Sequence, residues 1–66
     1  MSAQQPLNTL IKLPEVRRIT TLSRSEIYRR IAAGTFPKQI KLGAKSVAWL
    51  ESDISQWIAE QVGSTK

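Results

Sequence analysis

No cysteine and no histidine occur in the 66 residues. The first absence removes the disulfide, the thiolate metal ligand and the thiol nucleophile. The second removes the usual general base, the usual zinc nitrogen and the middle member of a Ser-His-Asp triad. Carboxylates are scarce too: Glu15, Glu26, Glu51, Asp53 and Glu60 are all there are. The length allows one small domain, which at this size buries only about 60% of its unfolded surface, so the core must be a single cluster. Such a chain cannot readily enclose a pocket of about 300–1,000 Å³ and still fill its core. No enzyme, no cofactor and no metal site are expected. No apolar run approaches the roughly 18 residues of a membrane-spanning helix. Met1-Ser2-Ala3-Gln4-Gln5 lacks the charged and apolar regions of a secretion signal, which predicts a soluble, cytoplasmic chain.

What is abundant is positive charge. Ten Lys/Arg against five acids give a net +5 and a pI near 10.3, the balance of a chain with a polyanionic partner, nucleic acid or an acidic membrane surface. A hydrophobic fraction of 41% is that of a folding chain. The charge is unevenly spread. Residues 12–45 carry nine basic side chains against two acids, a net of +7; residues 46–66 carry Lys66 against three acids, a net of −2. A sequence seeking solubility alone would intersperse its signs. The asymmetry marks the middle of the chain as a binding surface.

The first eleven residues are uncharged and read as a mobile start, with a flexible segment over 1–9 and the folded domain over 10–62. Leu13-Pro14-Glu15 opens a helix, Pro at its first position and an acid in its first turn; Leu13, Val16 and Ile19 extend it over about 14–20. Ser23-Arg24-Ser25-Glu26 is a capping box, in which Ser23 accepts the Glu26 N–H and Glu26 reaches back to the Ser23 N–H. The helix it opens runs through Ala32 and stops at Gly34, with Pro37 forbidding continuation. Two short helices joined by Thr20, Thr21, Leu22 and Ser23 make a helix-turn-helix.

Gln39-Ile40-Lys41-Leu42 and Ser46-Val47-Ala48-Trp49 then alternate in period two, with Ile40, Leu42, Val47 and Trp49 as the apolar set and Gly43-Ala44-Lys45 as a three-residue hairpin turn. Helical spacing returns from Glu51 to Val62, with Ile54, Trp57, Ile58 and Val62 on one face and Gly63 ending the element. The expected fold is α+β, mainly helical: a small winged helix-turn-helix with a two-stranded wing and a C-terminal helix.

On a helical wheel Ile27 and Ile31 lie within about 40° of each other and define the buried side of the second helix. Its exposed first turns present Arg24, Ser25, Tyr28 and Arg29. These types suit a major-groove helix, since Arg bonds guanine bidentately while Ser and Tyr reach phosphates or base edges. The bland reading of Arg29 and Arg30 is a solvated face; a wing carrying Lys38, Lys41 and Lys45 weighs against it. Those lysines also fit two accounts, edge protection against strand pairing or contact with phosphates or the minor groove, and the second is favoured. Of Arg17 and Arg18 on the first helix, one is expected to meet the DNA backbone and the other to be solvated. Trp49 and Trp57 lie on apolar faces, so they are expected as core anchors rather than base-stacking platforms; Phe36 is expected in the core as well.

Three runs together carry a family resemblance: Ser23-Arg24-Ser25-Glu26-Ile27-Tyr28-Arg29, Gly34-Thr35-Phe36-Pro37-Lys38-Gln39-Ile40-Lys41-Leu42-Gly43, and Val47-Ala48-Trp49-Leu50-Glu51-Ser52-Asp53-Ile54. Over about residues 10–62 the chain resembles the AlpA family, small prophage and genomic-island regulators related to excisionases and to MerR-like winged-helix domains. The resemblance implies sequence-specific binding of double-stranded DNA, either to activate transcription or to direct an integrase toward excision, in a bacterial, nucleoid-associated protein. It matches Arg24, Ser25, Tyr28 and Arg29 to the recognition helix, and Lys41 and Lys45 to the wing. Relatives usually have Gly where Thr21 stands in the turn, and a β-branched residue is poorly suited to φ > 0.

One helix and one wing read only a few base pairs, so tandem or cooperative occupancy is expected. The rival reading is a protein-interaction module whose acidic C-terminal helix or basic face docks on an integrase, RNA polymerase or another regulator. A membrane-surface peptide is disfavoured, because the basic residues spread over helix, turn and wing instead of lining one amphipathic helix.

Overall fold

The computed structural model describes residues 9–63. Along them run β1 (Leu10–Ile11), α1 (Leu13–Thr20), α2 (Arg24–Ala33), β2 (Ile40–Gly43), β3 (Ser46–Leu50) and α3 (Glu51–Gly63). The architecture is the winged helix-turn-helix expected from the sequence, with one addition. β1 pairs antiparallel with β3 through Leu10↔Leu50 and Ile11↔Trp49, so the wing is the outer part of a three-stranded sheet in the order β1-β3-β2. The expected flexible segment 1–9 falls almost wholly outside the described residues; Thr9, its last member, accepts the Glu51 N–H at 2.8 Å.

Each helix boundary has a local cause. Pro14 and Glu15 occupy the first turn of α1. Ser23 Oγ accepts the Glu26 N–H at 3.1 Å and caps α2. The reciprocal half of the capping box is not made: the Glu26 carboxylate turns along the helix to Arg29 and Arg30. At the other end Gly34 takes φ 80°, and the Gly34 and Thr35 N–H groups return to the carbonyls of Ile31 and Arg30 at 3.0 and 2.9 Å, a Schellman closure.

Thr21 is left-handed at φ 62°, ψ 14°, closing α1 through its N–H to the Arg17 carbonyl at 2.8 Å. The turn has thus kept the conformation that favours glycine and imposed it on a β-branched residue, at a cost of order 1–3 kcal/mol. Hydroxyls offset part of that strain: Thr20 Oγ1 donates to the Val16 carbonyl at 2.7 Å and accepts the Leu22 N–H at 3.4 Å, and Thr21 Oγ1 donates to the Thr20 carbonyl.

The core draws one large side chain from each layer. Val16 of α1, Ile27 of α2, Trp49 of β3 and Ile54 of α3 are wholly buried, and Phe36 from the α2–β2 connection joins them. Both tryptophans are structural. Trp49 Nε1 donates to the Pro37 carbonyl at 3.1 Å and Trp57 Nε1 to the Thr35 carbonyl at 2.8 Å, while Phe36 meets Trp57 edge-on at 4.9 Å. The connection after α2 is thereby clamped from two sides.

The wing departs from its expected pattern. Ile40 and Leu42 are exposed, not core, because α1 and α3 pack on β3 and leave β2 as an uncovered outer strand. A one-residue register shift at Leu42, between the pairs Lys41↔Val47 and Gly43↔Ser46, bulges the strand and breaks the alternation. Gly43 belongs to β2, which leaves Ala44-Lys45 as a two-residue turn in place of the expected three. Val62 is also exposed, since α3 runs past the end of the core.

Candidate nucleic-acid interface

α2 presents its arginines already held. The Arg24 guanidinium carbon lies 5.3 Å from the Tyr28 ring centroid, and Tyr28 in turn meets Trp49 edge-on at 6.5 Å. A buried β3 residue therefore orients the half-buried tyrosine over which Arg24 rests. One turn along, Arg29 Nη2 donates to both oxygens of Glu26 at 2.5 and 2.6 Å, and Arg30 Nε donates to Oε2 at 3.1 Å. The Arg29 side chain nonetheless keeps 72% of its surface in solvent. Arg29's hydrogen bond, reinforced by its charge and that of Arg30, holds the Glu26 carboxyl below the ordinary glutamate range against the opposing effect of desolvation. Ser25 stands exposed beside Arg24.

On α1 the two arginines divide. Arg18 is paired with Glu15 through Nε at 3.0 Å and Nη2 at 2.5 Å; that hydrogen bond lowers the Glu15 pKa and raises that of Arg18. Arg17 has no carboxylate partner among the described residues. Both line an open groove of about 480 Å³ with Pro14, Thr21, Leu22 and Ser23, which brings α1 cations beside the capped start of α2.

Lys38 before β2, Lys41 on it and Lys45 at the hairpin tip are exposed, and among the described residues no ion pair engages them. No hydrogen bond or ion pair ties these lysines to α2; wing and helix are joined from beneath, by Trp49 against Tyr28. Lys12 is a further exposed cation, outside the expected binding set. Its Nζ donates to Ser46 Oγ at 2.9 Å, at the root of the wing, a contact across 34 positions with no local signal. The opposite character appears between the α2–β2 connection and α3, where Phe36, Pro37 and Trp57 floor an open groove of about 400 Å³ rimmed by Asp53 and Glu60. Neither groove is enclosed. Among the described residues no group of His, Cys, Asp or Glu could hold a metal ion, and no helix is long and apolar enough to cross a membrane.

The model of a family described as prophage CP4-57 regulatory protein (AlpA) matches residues 9–62. The chain belongs to the AlpA family. Over 58 residues this AlpA-family chain is 34% identical to the DNA-binding transcriptional activator AlpA of Escherichia coli (strain K12), covering 79% of the chain and 83% of that protein. Over 56 residues it is 45% identical to the uncharacterized protein ORF88 of Enterobacteria phage P4, covering 85% of the chain. It spans 64% of the length of that phage protein. AlpA is a family of regulators, not of enzymes.

Proposed function

We propose that this AlpA-family chain is a sequence-specific, double-stranded-DNA-binding regulator of a prophage or genomic island, working in the bacterial cytoplasm on the nucleoid. The observation that carries the reading is the second helix of the helix-turn-helix, whose exposed face holds Arg24 and Arg29 ready on Tyr28 and Glu26. In this reading α2 enters the major groove, where Arg29 reads a base edge and Arg24, Ser25 and the Tyr28 hydroxyl meet bases or phosphates. Lys38, Lys41 and Lys45 follow the adjacent backbone, and Arg17 rather than the Glu15-paired Arg18 meets phosphate beside the turn. The relative in E. coli, a DNA-binding transcriptional activator, supports the same chemistry.

The output is transcriptional control, excision as a recombination directionality factor, or both. A single helix and wing read few base pairs, so occupancy of several neighbouring sites is part of the proposal. Footprinting on DNA flanking the chain's own gene and the adjacent attachment site tests it: protection over a promoter indicates transcription control, and protection over attachment arms indicates excision. Affinity falls with salt at a log–log slope of about −0.9 per phosphate contact; an affinity indifferent to salt refutes DNA binding. The acid-rimmed groove at Trp57 favours a second activity, docking of a basic segment of an integrase or RNA polymerase. Co-purification of such a partner without any shift of specific DNA makes docking the primary role.

A further inference from the structure

Glu26 is an acid in the middle of a surface proposed to meet phosphates, where a carboxylate lowers affinity unless it does something else. It stands between Arg29 and Arg30 on the outward side of α2, 27% exposed, and each of its oxygens accepts from Arg29. We propose that Glu26 is the positioning residue that determines specificity, by aiming the Arg29 guanidinium at a base edge. The inference rests on the DNA-binding reading above.

Recognition of phosphate tolerates many directions of approach, because phosphates are everywhere along the duplex. Reading a base edge needs the guanidinium held within about 10–20° of the productive direction. A free arginine has several rotatable bonds and takes the nearest phosphate. Here the fork is anchored to the helix that carries it, three residues away. Glu26 engages Nη2 of Arg29, the nitrogen shared by both donor edges of the guanidinium, which leaves the Nη1 hydrogens on the far edge to donate to a base acceptor. Charge works in the same direction. Glu26, Arg29 and Arg30 together carry +1, so the acid halves the generic attraction of this face to DNA of any sequence. Weaker non-specific binding and a fixed fork both widen the gap between right and wrong sites.

The test titrates the wild type, E26Q, R29A and the double variant against the footprinted duplex and a scrambled one over a range of salt, with thermal unfolding alongside. Ser23 still caps α2 in E26Q, so the variant folds. The expected result is that E26Q binds the scrambled duplex more tightly, with a salt slope steeper by about 0.9. Its specific-to-scrambled ratio falls by about tenfold, at the same base pair at which R29A loses discrimination, and the double variant discriminates no worse than R29A. An ion pair that serves only to stabilise α2 shifts the melting midpoint and leaves the ratio alone; that result overturns the proposal. So does a change of preference at a different base pair that adds to the effect of R29A, which makes Glu26 a reader in its own right. A wild type that discriminates no duplex removes the DNA-reading function and this inference with it, whereas a discriminating wild type matched by E26Q removes this inference alone.

Discussion

Trp49 on β3 is wholly buried, while Leu42 on the neighbouring β2 keeps half of its surface in water. The two strands pair antiparallel and have similar alternating sequences, yet one is the middle of the molecule and the other its rim. The difference comes from what flanks them. β1 pairs on one side of β3 and β2 on the other, and both α1 and α3 pack on it. β2 has a strand partner on one side alone, and all four of its residues are exposed. β3 and α3 close the core, and α3 carries three of the five acids; the outward side of α2 and the exposed β2 carry cations. Stability and the proposed recognition thus fall on different faces of a very small domain.

Substitutions divide along the same line, and the largest expected effect tests it most severely. W49A removes the central side chain of the core and the hydrogen bond to the Pro37 carbonyl, at about 3–5 kcal/mol. In a domain of this size that is most of the stability, and circular dichroism should find the variant largely unfolded at 37 °C. A folded W49A breaks the division, since Tyr28 and Arg24 would then be positioned without it.

R29A is the counterpart on the outward side. It should weaken specific DNA binding by about 1–3 kcal/mol and relax sequence preference, with the unfolding midpoint nearly unchanged. Equal weakening on every duplex would make Arg29 a phosphate contact instead.

T21G crosses the division, because it sits on the outward side but acts on stability. Glycine relieves the left-handed strain at φ 62° and loses some entropy in return, for a net gain of about 1 kcal/mol in urea unfolding. Its DNA affinity should match the wild type; a lower one means that the strained turn itself orients α2.

L42S on the bulged, exposed part of β2 should change stability by less than about 0.5 kcal/mol, and a larger loss would mean that the rim strand is less dispensable than its exposure indicates. The smallest effect is that of acid. Arg29 and Arg18 hold the carboxyls of Glu26 and Glu15 below their ordinary values in the folded chain. Their stabilisation is therefore complete above the unfolded glutamate value of about 4.3 and is lost as pH falls through the lower folded values. Both pairs are solvent-exposed, so melting temperatures measured downward from about pH 5 should fall slightly, and less so in 1 M salt, where the Debye length is about 3 Å.

Much of this was legible along the chain. Pro14, the Ser23 cap, Gly34 and Pro37 mark helix ends through interactions a few residues long, and the α-helices fall where those signals lie. The outward face of α2 follows from Ile27 and Ile31, and Trp49 is the core anchor its position predicts, whereas Trp57 packs against the core only half-buried. Three departures share one cause. Ile40, Leu42 and Val62 look apolar and periodic, but burial depends on how far other elements cover them, and each stays exposed.

Local chemistry along 66 residues determined the helices, the turn, the hairpin and the charge asymmetry, because capping, backbone restriction and periodicity act between near neighbours. Tertiary structure decided the rest. It recruited β1 to β3, which no short-range signal specifies, and so made one wing strand central and the other a rim. It seated Trp49 beneath Tyr28, and so steadied Arg24 from a residue 25 positions away in sequence. The choice made by Glu26, by contrast, is local: its carboxylate could reach back to Ser23 or forward along α2 to Arg29 and Arg30, and two charged donors outcompete one neutral N–H.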